Sequence, residues 1–327
     1  MQPIRFGILS TGTIAHKMAR TLPMVPEAQL LAVGSRTQAN ADAFAAEFGI
    51  PRAYGSMEAL LADPDIDAVY VASPHPQHKP MTLAAVAAGK HVLCEKPLTL
   101  TRADSEEVYA AAREKGVFLM EAMWTRFIPT ILAAKRWIAE GRIGELRMMT
   151  AAFGYNTPIT DPPDRILLAS EAGGALYDVG IYAVEAALDF FAPQKVVDIQ
   201  GTAALTPWGA DAVNACALRF EGGGIASFQS AVCCRLRNDA ALYGSKGHIR
   251  LFPAFYAPET AELWIGGRCE ESVGIRIESG FEYEVRHMID RIRAGKLTSD
   301  RIPPEDTYVC GDIFEALMRR GFVGPAE

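Results

Sequence analysis

Ile4-Arg5-Phe6-Gly7-Ile8-Leu9-Ser10-Thr11-Gly12-Thr13-Ile14-Ala15 is the stretch whose reading decides the fold. Its first six residues make a short, mostly apolar run, which predicts a buried strand. Ser10, Thr11 and Gly12 break the run, and Ile14-Ala15-His16-Lys17-Met18-Ala19 reads as a helix. The turn between them has the spacing S-x-G-x-x-A. Gly12 would let a backbone approach a pyrophosphate, and Ala15 would let helix and strand pack closely. The first amides of such a helix form an anion site. Ser10 stands where the first glycine of a dinucleotide fingerprint is usual. An ordinary strand-to-helix turn has the same outline, but the place at the head of a strand–helix series favours the nucleotide reading. Ser10, Thr11, Gly12, Thr13 and Ile14 are then the expected phosphate contacts.

The following chain keeps the alternation. A second strand, Gln29 to Gly34, ends in Ser35-Arg36-Thr37. An NAD site normally places Asp or Glu here for the ribose 2′-hydroxyl. Two hydroxyls and a guanidinium suit a 2′-phosphate instead, so Ser35, Arg36 and Thr37 predict NADP over NAD. Ala68 to Ala72 is a strand that runs into Ser73-Pro74-His75-Pro76-Gln77-His78-Lys79. Val92-Leu93-Cys94-Glu95-Lys96-Pro97 reads as the next strand, running into Lys96, where Pro97 stops the sheet ladder and turns Lys96 towards an extended conformation. Lys96 therefore falls at the carboxyl end of a parallel strand, the edge at which open α/β sheets bind ligands. His75 and His78 fall on the same edge. A proton relay, a ligand contact or simple bonding within the loop is open to either. Val117 to Met120 closes the series. The fold class expected is α/β: a doubly wound parallel Rossmann domain over residues 1–122.

At Trp124-Thr125-Arg126-Phe127 the pattern changes, so a second α/β domain is expected over 123–327. Candidate strands at Leu146–Phe153, Val196–Leu205, Val213–Phe220, Ile225–Cys233, Ala240–Gly244 and His248–Leu251 are separated by glycine turns, which implies a large, mainly antiparallel open sheet. One face of such a sheet can remain for a partner subunit. A helix follows Gly173-Gly174 and runs to Phe191. Asp178 and Tyr182 are four apart and share a face, and Gly180 is expected to leave that face uncrowded for a ligand. Helices at Phe281–Arg293 and Glu305–Arg320 read as surface helices without chemistry. The loop from Tyr155 to Ser170 carries a Pro-rich run that composition does not place.

Composition narrows the classes. With 327 residues, half of them hydrophobic, the chain has material for two cores. A net charge of -7 argues against nucleic acid or an anionic membrane as the main partner. The longest apolar segment, Ala175 to Ala192, is interrupted by Asp178, Glu185 and Asp189, so no membrane span is expected. The N-terminus lacks the pattern of a signal peptide, and the six scattered cysteines contain no CxxC. A cytoplasmic protein with reduced thiols and no metal site is the expectation.

Oxidation of an alcohol needs a positioned nicotinamide, a base for the hydroxyl proton and a charge that stabilises the alkoxide. Tyrosine is a weak base near neutrality, and a nearby ammonium favours its phenolate. Lys96 and Tyr182 therefore make a candidate acid/base pair, with Asp178 to orient it or to bind a substrate hydroxyl. The S-x-G-x-x-A turn, Glu95-Lys96-Pro97, Trp124-Thr125-Arg126-Phe127 and the run from Gly173 to Tyr182 resemble the glucose–fructose oxidoreductase/inositol dehydrogenase (Gfo/Idh/MocA) family over essentially the whole chain. Within it, the tyrosine at 182 and His75-Pro76-Gln77-His78-Lys79 resemble the NADP-dependent enzymes acting on trans-dihydrodiols and D-xylose. The resemblance implies that Lys96, Tyr182 and Asp178 are catalytic. It implies Ser73, His75, His78, Glu95, Lys96, Trp124 and Arg126 around the cofactor, and Lys96, Trp124, Phe153, Asp178 and Tyr182, with His78, around a polyol, sugar or diol substrate. It also implies a homodimer formed through the open sheets. A non-catalytic dinucleotide sensor, a carbonyl reductase and a cofactor-assisted glycosidase share this fold. The intact set of Lys96, Asp178 and Tyr182 weighs against the sensor.

Overall fold

A computed structural model describes residues 2–320. Its first elements alternate as the sequence pattern requires. In chain order they are β1 (Ile4–Leu9), α1 (Thr13–Thr21), β2 (Ala28–Gly34), α2 (Gln38–Phe48), β3 (Arg52–Tyr54) and α3 (Met57–Leu61). There follow β4 (Ala68–Val71), α4 (His78–Ala87), β5 (His91–Glu95), α5 (Arg102–Lys115) and β6 (Leu119–Ala122). The six strands form one parallel sheet in the order β3-β2-β1-β4-β5-β6. Every residue of β4 and β6 is buried, as strands covered on both faces must be. Helix starts are set by side chains: Thr37, Ser56 and Thr101 accept from the amides of Asn40, Ala59 and Asp104. Strand order reverses between β1 and β4, so Ser10 and Ser73 follow the two strands that flank the switch point.

The second unit begins at Thr125. It contains α6 (Pro129–Ala139), β7 (Leu146–Gly154), α7 (Ile181–Phe191), β8 (Val196–Leu205), β9 (Asp211–Phe220) and β10 (Ile225–Ala231). β11 (Ala240–Gly244), β12 (Gly247–Phe252), β13 (Thr260–Ile265) and β14 (Arg268–Gly274) complete it. The eight strands order as β14-β13-β12-β11-β7-β10-β9-β8. All pairings are antiparallel except β7 with β10. Its helices pack on it through buried residues such as Ile131, Trp137, Val184 and Leu188.

Two later helices are α8 (Phe281–Arg293) and α9 (Pro304–Arg320). Residues Ser279–Tyr308 pack with the first unit, and the chain from Val309 returns to the second. The expectation of two plain surface helices is corrected here. Helix α8 buries Phe281, Glu282, Glu284, Val285, Met288 and Ile289, because its apolar residues repeat at helical spacing on one side. Among the described residues, no helix is long and apolar enough to cross a membrane.

Candidate active site

In the first unit, the turn after β1 is built around a strained serine. Ser10 has φ 120, a conformation natural to glycine and costly for any side chain. Its hydroxyl offsets part of that cost by accepting from the Gly12 amide at 3.2 Å. Gly12 precedes α1, and no side chain caps the helix. A Cβ on Gly12 would meet only Ser10 Oγ at 3.6 Å, so packing does not demand glycine there. The free space lies where a phosphate would approach the first amides of α1. Ala15 is fully buried between helix and sheet, as the fingerprint requires.

The end of β2 lies beside this turn. Thr11 Oγ1 and Ser35 Oγ are 3.4 Å apart. Arg36 is exposed and has no ion-pair partner among the described residues, which leaves its guanidinium available to an anion. Thr37 starts α2: its hydroxyl accepts from the Asn40 amide at 3.3 Å and keeps its own proton to donate. After β4, the Ser73 hydroxyl is buried with no hydrogen-bond partner among the described residues. An orphaned hydroxyl at the switch point, an open helix N-terminus and an unpaired arginine are what a phosphorylated dinucleotide would satisfy.

His78 is buried and lies across the loops after β4 and β5. Its Nδ1 is 2.7 Å from the Pro97 carbonyl and its Nε2 is 2.8 Å from the Ser73 carbonyl. His75 is also buried and meets the His78 ring edge-on at 5.6 Å. The pair thereby ties the Lys96–Pro97 turn, whose peptide is cis, to the loop after β4. Lys96 is half-buried at the carboxyl end of β5. Behind it, the buried Glu95 accepts from the Tyr70 hydroxyl and, at 3.3 Å, from the Lys96 amide. Burial raises the Glu95 pKa, and the Lys96 charge opposes the rise.

A buried charge cluster in this unit escaped the sequence reading. The Lys17 ammonium on α1 sits 3.9 Å from the Trp124 ring centre and 4.0 Å from that of Phe281. Burial lowers the Lys17 pKa. Glu284 on α8 is fully buried, and burial holds its carboxyl well above the usual range. Trp124 is itself buried and packs edge-on against Phe281 at 5.3 Å. No sequence signal links Lys17 to a helix more than two hundred residues later.

Arg126 belongs to the second unit. It is buried, pairs with Glu185 at 2.6 Å and lies 3.8 Å from Asp189, which also holds Lys135. A guanidinium buried against two carboxylates is engaged in the core.

Asp178 and Tyr182 lie on neighbouring turns, but not of a plain α-helix. Leu176–Gly180 is one π-helical turn, and α7 begins at Ile181. Such turns recur at functional sites because they re-aim side chains. The turn is anchored at its start by Asp211, whose Oδ2 accepts from the Leu176 amide at 2.8 Å and from Asn214 Nδ2 at 2.7 Å. Burial pushes the Asp211 pKa up to about 6. Gly174, at φ 112, is required here: a Cβ would lie 2.0 Å from Asp211 Oδ1. Gly180 has another reason. It is buried, and a Cβ would lie 2.8 Å from Ser230 Oγ on β10. The expectation that Gly180 opens a face to ligand is therefore corrected; it lets the turn press on the sheet.

Around Tyr182 stands an aromatic group. Phe153 stacks on Tyr256 at 3.9 Å with planes 7° apart, and Tyr182 meets the two rings at 5.5 and 5.6 Å. Tyr155 donates its hydroxyl to Asp178 Oδ2 at 2.6 Å. Tyr155 and Tyr256 were not foreseen, since both follow strands in segments without periodicity.

Residues 4–123 match the model of an oxidoreductase family with an NAD-binding Rossmann fold, and residues 131–250 match the GFO/IDH/MocA C-terminal domain. The trans-1,2-dihydrobenzene-1,2-diol dehydrogenase of Mus musculus is 36% identical over 326 residues, covering 97% of this chain and 96% of the relative. That of Homo sapiens is 35% identical over the same shares. The chain belongs to the Gfo/Idh/MocA oxidoreductase family. It is accordingly an NAD(P)-dependent dehydrogenase. Two solved structures carry the likeness across both units of this Gfo/Idh/MocA chain. A 3-ketoreductase from Actinomadura kijaniata, complexed with NADP and TDP-benzene, is 26% identical with a TM-score of 0.85 over 98% of each chain. An aldose-aldose oxidoreductase from Caulobacter crescentus, complexed with glycerol, is 27% identical with a TM-score of 0.86 over 97% of each.

Proposed function

We propose that this dehydrogenase uses NADP to oxidise a secondary or hemiacetal carbinol of a sugar or cyclic diol. The observation that carries the reading is the grouping, within one unit, of the Tyr182 phenol and the Asp178 carboxylate beside the stacked Phe153–Tyr256 pair. A ring substrate presents apolar faces to aromatic surfaces and hydroxyls to a carboxylate. When bound, the nicotinamide supplies the hydride acceptor. Tyr182 takes the hydroxyl proton, and Asp178 accepts a hydrogen bond from a neighbouring hydroxyl. Lys96 supplies the positive charge that a phenolate and a developing alkoxide need. Ser10, Thr11, Gly12, Thr13 and Ile14 hold the phosphates, Ser35 and Arg36 the 2′-phosphate, and Ser73 a further polar edge of the cofactor. Trp124 closes the cofactor side by packing around Lys17, and His75 and His78 fix the loop that carries Lys96.

A rate assay tests this reading. Reduced nicotinamide is followed with D-xylose, D-glucose, myo-inositol and a trans-dihydrodiol, each with NADP⁺ and with NAD⁺. Turnover with NADP⁺ and an aldopyranose or the diol is expected. Binding of cofactor with silence across the panel would point to the reverse reaction on a carbonyl, the direction named for the Actinomadura relative. In the same assay, Arg36→Ala should weaken NADP⁺ about tenfold or more and leave NAD⁺ almost unaffected, since one charge-assisted contact is lost. Equal NADP⁺ affinity in the variant would defeat the assignment.

The open sheet supports a homodimer. Ile225, Met148, Tyr243, His248 and Trp264 are successive partners across β10, β7, β11, β12 and β13. The last three stack with centres 5.9 Å apart, and Met148, Ile225 and Tyr243 are exposed. A row of two aliphatic and three stacked ring side chains on one face suits a second copy of the same sheet. Sedimentation equilibrium giving only the monomer mass at micromolar concentration would exclude it.

A further inference from the structure

Tyr155, the first residue after β7, donates to Asp178 Oδ2 at 2.6 Å, and both ends of this bond are fixed to one strand. On one side, the Tyr155 amide donates to the Ala231 carbonyl at 3.1 Å. The preceding Gly154 amide donates to Asn238 Oδ1 at 2.8 Å. Gly154 is closely packed on this side, since a Cβ there would lie 2.6 Å from Leu236 and 2.8 Å from the Cys234 carbonyl. On the other side, the π turn of Asp178 rests on Ser230 through Gly180 and is capped by Asp211. Ser230 and Ala231 are neighbours in β10. Phenol and carboxylate are therefore held at hydrogen-bond distance by a frame that does not depend on the bond between them.

We propose that Tyr155 is a positioning residue for Asp178, fixing the orientation of the carboxylate and keeping it ionised to receive the hydroxyls of a polyol or diol substrate. This rests on the assignment of Asp178 to the substrate site made above. A short bond from a neutral phenol stabilises the charged form of a carboxylate. Burial and the charge of Asp178 push the Tyr155 pKa upward, so the phenol remains the donor near neutrality. Thr157 also acts on Tyr155, through a side-chain hydrogen bond. Arg165 acts on Tyr155 from the loop, and Tyr182 lies on the following turn. β10 carries no ionisable residue, and β7 carries only Arg147, at its far end.

Tyr155→Phe in the full-length enzyme keeps the ring and removes the donor. We expect kcat/KM to fall about ten- to a hundredfold, mainly through KM, with NADP binding and Tm almost unchanged. The acid limb of the kcat/KM profile should move to higher pH. A readout free of turnover is the NMR titration of the Asp178 carboxyl in selectively labelled enzyme without ligand, in which the variant should titrate at higher pH. In an Asp178→Asn background, Tyr155→Phe should add little. An unmoved Asp178 titration, or losses that simply multiply in the double variant, overturns the proposal alone. An Asp178→Asn enzyme with unchanged kcat/KM overturns the substrate assignment, and the proposal with it.

Discussion

Lys96→Met is expected to lower kcat/KM by about a hundred- to a thousandfold, the usual loss when one preorganised charge at a developing oxyanion is removed. Methionine nearly matches the length of lysine and suits a half-buried position, so the fold should survive. The local electrostatics support that. Burial already drives Glu95 towards its neutral form, and the Lys96 charge is the first of the influences that oppose it, with the Tyr70 hydroxyl and Lys17. Without that charge, Glu95 takes up a proton more readily and stays bonded to Tyr70, which leaves no uncompensated buried anion. The NADP affinity should hold, because the proposed phosphate contacts follow β1 and β2 rather than β5. Steady-state rates, an NADP fluorescence titration and a melting curve on the same preparation decide it. A variant that turns over within about tenfold of the parent would remove Lys96 from the chemistry. A variant that also loses NADP would make it a binding residue.

The first unit was legible in the sequence almost strand for strand, because its signals are local. Ile4–Leu9 is mostly apolar, and Gly12 and Ala15 keep their spacing within one turn of α1. The return of residues 279–308 to that unit was not legible. Nothing in Phe281–Arg293 names the distant Lys17 and Trp124 against which it packs. β13 and β14 were missed for a related reason: Thr260–Ile265 and Arg268–Gly274 alternate weakly and stand at the edge of the sheet. The parallel pairing of β7 with β10 was also hidden, since hairpin turns report only on sequential neighbours.

Within the site, motif residues were legible and their tasks were not. Arg126 was found by its motif, but only the packing shows that Glu185 and Asp189 occupy it. Gly180 was found by its place between Asp178 and Tyr182, but it makes room for Ser230 rather than for a ligand. Helical spacing put Asp178 and Tyr182 on one face, whereas the π turn changes how they face by one residue. Tyr155 carried no signal except that it follows a strand. The partner that gives it meaning is 23 residues away in the chain.

Tyr182→Phe should reduce turnover by about a hundred- to ten-thousandfold, the range supplied by a positioned acid/base group. The substitution is narrow. The ring keeps its contacts with Phe153 and Tyr256, so Tm, NADP affinity and the apolar part of substrate binding should stay near those of the parent. The loss should therefore fall on kcat, because a proton acceptor acts in the transition state and adds little to ground-state binding. Asp178→Asn provides the contrast. If Asp178 binds a substrate hydroxyl, its loss should appear chiefly in KM and should leave the alkaline side of the kcat profile in place. If Asp178 were itself the base, the pattern would invert: Tyr182→Phe would retain most of its kcat and Asp178→Asn would lose it. Measured side by side on one substrate, the two variants decide which oxygen receives the proton. Only a kcat loss confined to Tyr182→Phe is compatible with a phenol that does the chemistry and a carboxylate that holds the substrate for it.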